Sequence, residues 1–91
     1  MSRVRLPAKN PAHEIIVGSD HACGYFIQIF NGVDEEGEDV LLLDQDSLLG
    51  GLTRESLINH IDEYVEDSDI KESVCYAIRM NLQILEGRYN V

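Results

Sequence analysis

Ninety-one residues with 44% hydrophobic content make one small domain, too apolar for an acidic disordered chain and too short for a large enclosed active site. Seventeen Asp and Glu face seven Lys and Arg, a net charge of -10 that repels nucleic acid and anionic lipid and favours basic proteins or cations. The charge is uneven: residues 1–11 hold Arg3, Arg5 and Lys9 with no acid, whereas residues 12–86 set all seventeen acids against Arg54, Lys71 and Arg79, or -14.

Residues 1–12 read as a flexible basic arm, because Pro7 and Pro11 remove backbone donors and bias the residues before them to extended geometry. The arm has no apolar h-region, so it is not a signal peptide, and no apolar run is long enough to span a bilayer. A cytoplasmic protein without membrane contact is expected. Residues 13–91 form the single domain.

Glu14–Val17 is β-branched and predicts a first strand, followed by a loop from Gly18 to Gly24. Tyr25–Phe30 predicts the clearest strand, apolar on both faces, with Phe26, Gln28 and Phe30 on one side and Tyr25, Ile27 and Ile29 on the other. An acidic connection through Asp34, Glu35, Glu36, Glu38 and Asp39 leads to a third strand, Val40–Leu43. Asp46 or Ser47 is positioned to start a single helical turn that Gly50 would stop. Thr53 then reads as the N-cap of a helix over 54–66, with Leu57, Ile58, Ile61, Tyr64 and Val65 as its apolar stripe. Asp69 with Glu72 has capping-box spacing for a second helix. Its apolar face runs through Ile70, Val74, Ala77, Ile78, Leu82 and Leu85 to a stop at Gly87. The expected architecture is α+β: a three-stranded antiparallel β-meander, then two α-helices packed on one face.

Few patterns carry chemistry. Counted from Asp34, Gly37 is fourth rather than sixth and position twelve is Gln45, so the acidic connection is not a calcium-binding EF-hand loop. His13, His21 and His60 have no metal-ligand spacing, and Cys23 and Cys75 form no C-x-x-C pair. Asp20-His21-Ala22-Cys23 contains catalytic residue types, but glycines flank it and acidic surroundings disfavour a thiolate. A Cys/His enzyme or metal protein is therefore the last choice, and neither a catalytic residue nor a cofactor or metal is assigned.

The stretch Ile16-Val-Gly-Ser-Asp-His-Ala-Cys-Gly-Tyr-Phe-Ile-Gln-Ile-Phe30, an acidic break, and Asp44-Gln-Asp-Ser-Leu-Leu-Gly-Gly-Leu-Thr53 resemble a group of small uncharacterised acidic bacterial proteins. Those carry a strand of the form V-G-x-D-x-x-x-x-F-F-x-x-V, an acidic turn and a Leu-rich helical half. This chain has Ser19 where an aromatic is more usual and Tyr25-Phe26 at the double-aromatic position. The resemblance implies a one-domain bacterial protein and brings no activity with it.

The function expected is a non-enzymatic acidic interaction or regulatory module for a basic protein surface. Its contacts are the acidic loop (Asp34, Glu35, Glu36, Glu38, Asp39) and one helix face (Glu55, Asp62, Glu63, Glu66), with Tyr25, Ile27 and Ile29 as candidate apolar contacts. The alternative is a nucleic-acid mimic inhibiting a DNA- or RNA-binding protein, since carboxylates spread over ~16 Å of helix imitate a phosphate row. Direct nucleic-acid binding is not expected, because the second and third strands carry no basic residue. The chain is expected to be a monomer or weak homodimer.

Overall fold

A computed structural model describes residues 2–20, 24–48 and 50–80. Four strands, β1 (Ser2–Leu6), β2 (His13–Asp20), β3 (Gly24–Val33) and β4 (Asp39–Asp46), precede α1 (Arg54–Tyr64) and α2 (Asp69–Arg79). The strands form one antiparallel sheet in the order β1-β2-β3-β4, with the helices packed against it. The α+β class and the meander are as expected; the strand count is four rather than three.

The extra strand is the segment read as a flexible arm. In Arg3-Val-Arg-Leu6 the side chains alternate: Val4 and Leu6 are buried while Arg3 and Arg5 are exposed. That is the period of a half-buried strand. The prolines end the strand without freeing the chain. The Glu66 N–H donates to the Pro7 carbonyl at 2.8 Å, the Lys9 N–H donates to the Tyr64 carbonyl at 3.0 Å, and Ala8 bridges Val65. Residues 7–9 therefore tie the sheet to the end of α1.

Gly18, Ser19 and Asp20 continue β2 instead of opening a loop, paired with Phe26, Tyr25 and Gly24. Ser47 and Leu48 are bends, with no helical turn among the described residues before α1. Asp46 holds this connection differently: its carbonyl accepts from the Leu52 N–H at 3.0 Å and its carboxylate from the Gly50 N–H at 3.1 Å.

Thr53 caps α1 as its position predicts, accepting the Ser56 N–H at 3.1 Å while the Ser56 hydroxyl accepts the Thr53 N–H at 3.0 Å. The α2 cap is Ser68, one residue before the expected Asp69, with its hydroxyl accepting the Lys71 N–H at 3.2 Å. Leu82, Leu85 and Gly87 lie outside the described residues.

One parity of the sheet and the inner helix faces make the core. Val4, Leu6, Ile15, Val17, Ile27 and Ile29 meet Leu57, Ile61, Val65, Val74 and Ile78, with Cys75 among them. Full burial of such side chains is worth about 1.5–3 kcal/mol each before entropy is subtracted.

Candidate functional site

Register decides which apolar residues are available. Tyr25, Ile27 and Ile29 are 8%, 0% and 0% exposed, so they are core residues and not an apolar contact surface. Their neighbours on β2 and β1 bring Ile15, Val17, Val4 and Leu6 to the same side, and the helices cover that side. Phe26, Gln28 and Phe30 take the other side, half-buried, with Ile16 beside them. No described element covers this second face.

The open face is ordered in rows. Arg3, Gly18, Phe26 and Asp46 are successive cross-strand partners, and so are Arg5, Ile16, Gln28 and Asp44. Each row starts with a guanidinium on β1 and ends with a carboxylate on β4. Arg5 pairs with Glu14 on this face at 2.7 Å. A shallow groove of about 600 Å³ runs from Arg3 and Arg5 over Ile16, Gln28 and Phe30 to Asp39.

Beyond Phe30 the β3–β4 pairing is irregular. Ile29 pairs with Leu43 but Phe30 pairs with Leu41, which leaves Leu42 as the unopposed residue of a β-bulge. The bulge reverses the alternation, so Leu43 faces the core while Leu41, 50% exposed, falls with Phe30 on the open side. All of residues 31–42 are exposed, making an arm that stands clear of the core.

At the tip of this arm, Asp34 is the organiser. Its Oδ1 accepts the Glu36 N–H at 2.9 Å and the Glu38 N–H at 3.0 Å, and its own N–H donates to the Glu38 carbonyl at 2.8 Å. Gly37, at φ 82°, takes the left-handed conformation that closes the turn and donates to the Asp34 carbonyl at 3.0 Å. Glu35, Glu36, Glu38 and Asp39 are exposed around that turn.

The α1 carboxylates divide. Glu55 lies at the N-terminal end, where it shares a surface hollow with Arg54 and Arg79. Asp62, Glu63 and Glu66 lie at the C-terminal end, beside the β1–β2 connection. The Gly32 N–H donates to the Ala12 carbonyl at 3.1 Å, and the His13 ring contacts the Tyr64 ring at 5.9 Å between centroids. The base of the acidic arm and the acidic end of α1 therefore occupy the same end of the sheet.

Two lysines moderate that end. Lys9 Nζ donates to the Asp62 carbonyl at 2.8 Å, placing a cation where α1 has no basic residue in its last turn. Lys71, largely buried along its stem, reaches Asp67 at 2.9 Å and Asp62 at 3.4 Å. The hydrogen bond from Lys71, then its charge, holds the Asp67 carboxyl below its ordinary range. That hydrogen bond also raises the Lys71 ammonium, against the opposing effect of burial.

Of the groups considered for catalysis, His21 and Cys23 lie outside the described residues. Burial, then the charge of Asp62, pushes the Cys75 thiol up, away from a nucleophilic thiolate. His60 Nε2 lies 3.2 Å from Gln45 Oε1, a contact between α1 and β4. Among the described residues no three His, Cys, Asp or Glu side chains converge as metal ligands, and no helix is long and apolar enough to cross a membrane.

The sheet and helices define an α+β protein with one sheet face covered by the helices and one that no described element covers. No family model, curated protein or solved structure matches this chain.

Sequence reasoning missed the open-face set: Arg3, Arg5, Ile16, Phe26, Phe30, Asp44 and Asp46. Its signal was the Arg-Val-Arg-Leu alternation, which carries the same period as the strands that were recognised.

Proposed function

We propose that this chain is a non-enzymatic interaction module that engages a basic protein surface through the acidic end of the sheet. The observation that supports this reading is the β3–β4 arm. Its turn is held by the Asp34 hydrogen bonds, while Glu35, Glu36, Glu38 and Asp39 project from a segment with no Lys or Arg between residues 10 and 53. Ordering the turn in advance lowers the entropy cost of contact, and exposed carboxylates of one sign steer a cationic partner. Glu63 and Glu66, at the same end, extend the surface.

Mimicry of nucleic acid is less well supported, because it needs one continuous row of carboxylates. Glu55 stands apart beside Arg54 and Arg79, and Lys71 engages Asp62.

Affinity capture from the native lysate at about 50 mM and about 500 mM salt tests the proposal, since screening shortens from beyond ~10 Å to a few ångströms over that range. A basic partner retained at low salt and released at high salt is expected. Retention unaffected by salt counts against an electrostatic surface.

A further inference from the structure

The open sheet face is self-complementary, and from this we infer that its occupant is a second copy of the chain. The two charged rows carry the inference. Arg3, Gly18, Phe26 and Asp46 cross the sheet in one line, and Arg5, Ile16, Gln28 and Asp44 in the next. A two-fold axis parallel to the strands, between β2 and β3, reverses the strand order of a facing sheet and preserves position along the strands. Under that operation β1 lies over the partner's β4. Arg3 then faces the carboxylate that ends its own row in the other copy, and Arg5 does the same. In the middle β2 lies over the partner's β3, so Ile16 meets the partner's Gln28, Phe26 fills the space over the partner's Gly18, and Phe30 meets the partner's Glu14.

Stacked sheets sit ~10 Å apart, a gap that a long guanidinium and a short carboxylate close together. The arrangement is an aligned β-sandwich with an isologous interface, in which each contact occurs twice.

Ile16, Phe26 and Phe30 supply burial, and the charged rows supply register. Four strands at ~4.8 Å and about five residues at ~3.3 Å give a flat footprint of roughly 300 Å² per copy. Roughness and the adjoining arm, with Leu41 on the open side, increase the area buried. That remains below the ~800 Å² per partner of a standard interface, so a dissociable dimer is expected, not an obligate one. Each copy carries -10, but at 0.15 M salt the ~8 Å screening length leaves the contact pairs as the main electrostatic influence.

The same axis sets both acidic arms at one end of the dimer, roughly 14 Å apart. A basic partner would meet two tips instead of one. The dimer itself does not rest on the interaction-module reading, and its test contains no basic partner, so either can fail alone.

Arg5 and Asp44 are both exposed and lie three strand spacings apart, about 14 Å, so within one chain Arg5 pairs with Glu14 and cannot reach Asp44. Sedimentation equilibrium at 0.15 M salt, from about 10 μM to about 1 mM, should show a monomer–dimer equilibrium for the natural chain. Arg5→Asp and Asp44→Arg each place like charges at both symmetric contacts and should weaken self-association about tenfold or more. In an equimolar mixture of the two variants, opposite charges face each other at both contacts and association should return. The double variant R5D/D44R should also associate. Circular dichroism of each variant confirms that the sheet is retained.

A natural chain that is monomeric at every concentration overturns the proposal. Association that ignores either single variant, or is lost in both and absent from the folded mixture and double variant, overturns it equally.

Discussion

Replacing Asp34 separates the architecture of the acidic turn from its charge. Asp34→Ala removes the acceptor for two backbone N–H groups, those of Glu36 and Glu38. A net hydrogen bond contributes about 0.5–1.5 kcal/mol, and both donors are solvent-exposed, so the loss should be about 1–2 kcal/mol in total. It should appear as local opening and not as global unfolding, because residues 31–42 are exposed and the core contacts of β3 end at Ile29. Amide exchange is the assay. The Glu38 N–H should exchange about 5- to 30-fold faster, since each 1.4 kcal/mol is a factor of ten, while the Ile27 and Ile29 amides keep their rates. Asp34→Asn retains a side-chain oxygen suited to the same turn and should exchange like the natural chain despite losing the charge. Equal exchange in Asp34→Ala and the natural chain would refute the assigned role, as would an Asn variant as labile as the Ala variant.

Two further perturbations probe the supports of the sheet and of α1. A Cβ added at Gly50 would lie 2.8 Å from the Asp46 nitrogen and 3.1 Å from its carbonyl oxygen, both backbone atoms that cannot swing aside. Gly50→Ala should therefore cost about 1–3 kcal/mol and lower Tm by at least about 4 °C; an unchanged Tm in calorimetry refutes the close approach. The Asp67–Lys71 contact gives a pH signature with two limbs. Lowering of the Asp67 carboxyl from 3.8 adds stability above that value and loses it as acid protonates the group. Raising of Lys71 from 10.5 adds stability below that value and loses it as alkali removes the proton. In urea titrations Asp67→Asn should be less stable than the natural chain at pH 7, with the gap narrowing as acid protonates the Asp67 carboxyl below its ordinary range. A gap that persists in acid would contradict the ion pair as its source.

Where local chemistry and burial agreed, the fold was legible in the sequence. Thr53 before an amphipathic stretch marked α1, and Tyr25–Phe30 marked the strand at the centre of the sheet. Three features were hidden, each for a physical reason. In β1, Arg3 and Arg5 mask the apolar alternation of Val4 and Leu6, and the partner that pairs them begins seven residues later, at His13. In β3, both faces are apolar, so composition cannot say whether Tyr25, Ile27 and Ile29 or Phe26 and Phe30 meet the helices; pairing with Ile15 and Val17 decides it. In β4, the four-residue run Val40–Leu43 has no alternation to read, and the bulge at Leu42 sends its neighbours to opposite sides. The acidic tip was evident as composition. Its organisation by Asp34, and its position at the same end of the sheet as Glu63 and Glu66, are tertiary properties.

The acidic surface is tested most directly by capture with its charge removed and its turn retained. One variant carries Asn or Gln at Asp34, Glu35, Glu36, Glu38 and Asp39, with Asn at position 34 preserving the turn acceptor; a second neutralises Glu55, Asp62, Glu63 and Glu66. Loss of the salt-sensitive partner from the first variant, with unchanged circular dichroism, is the predicted result. Undiminished capture by both variants would contradict an acidic interface.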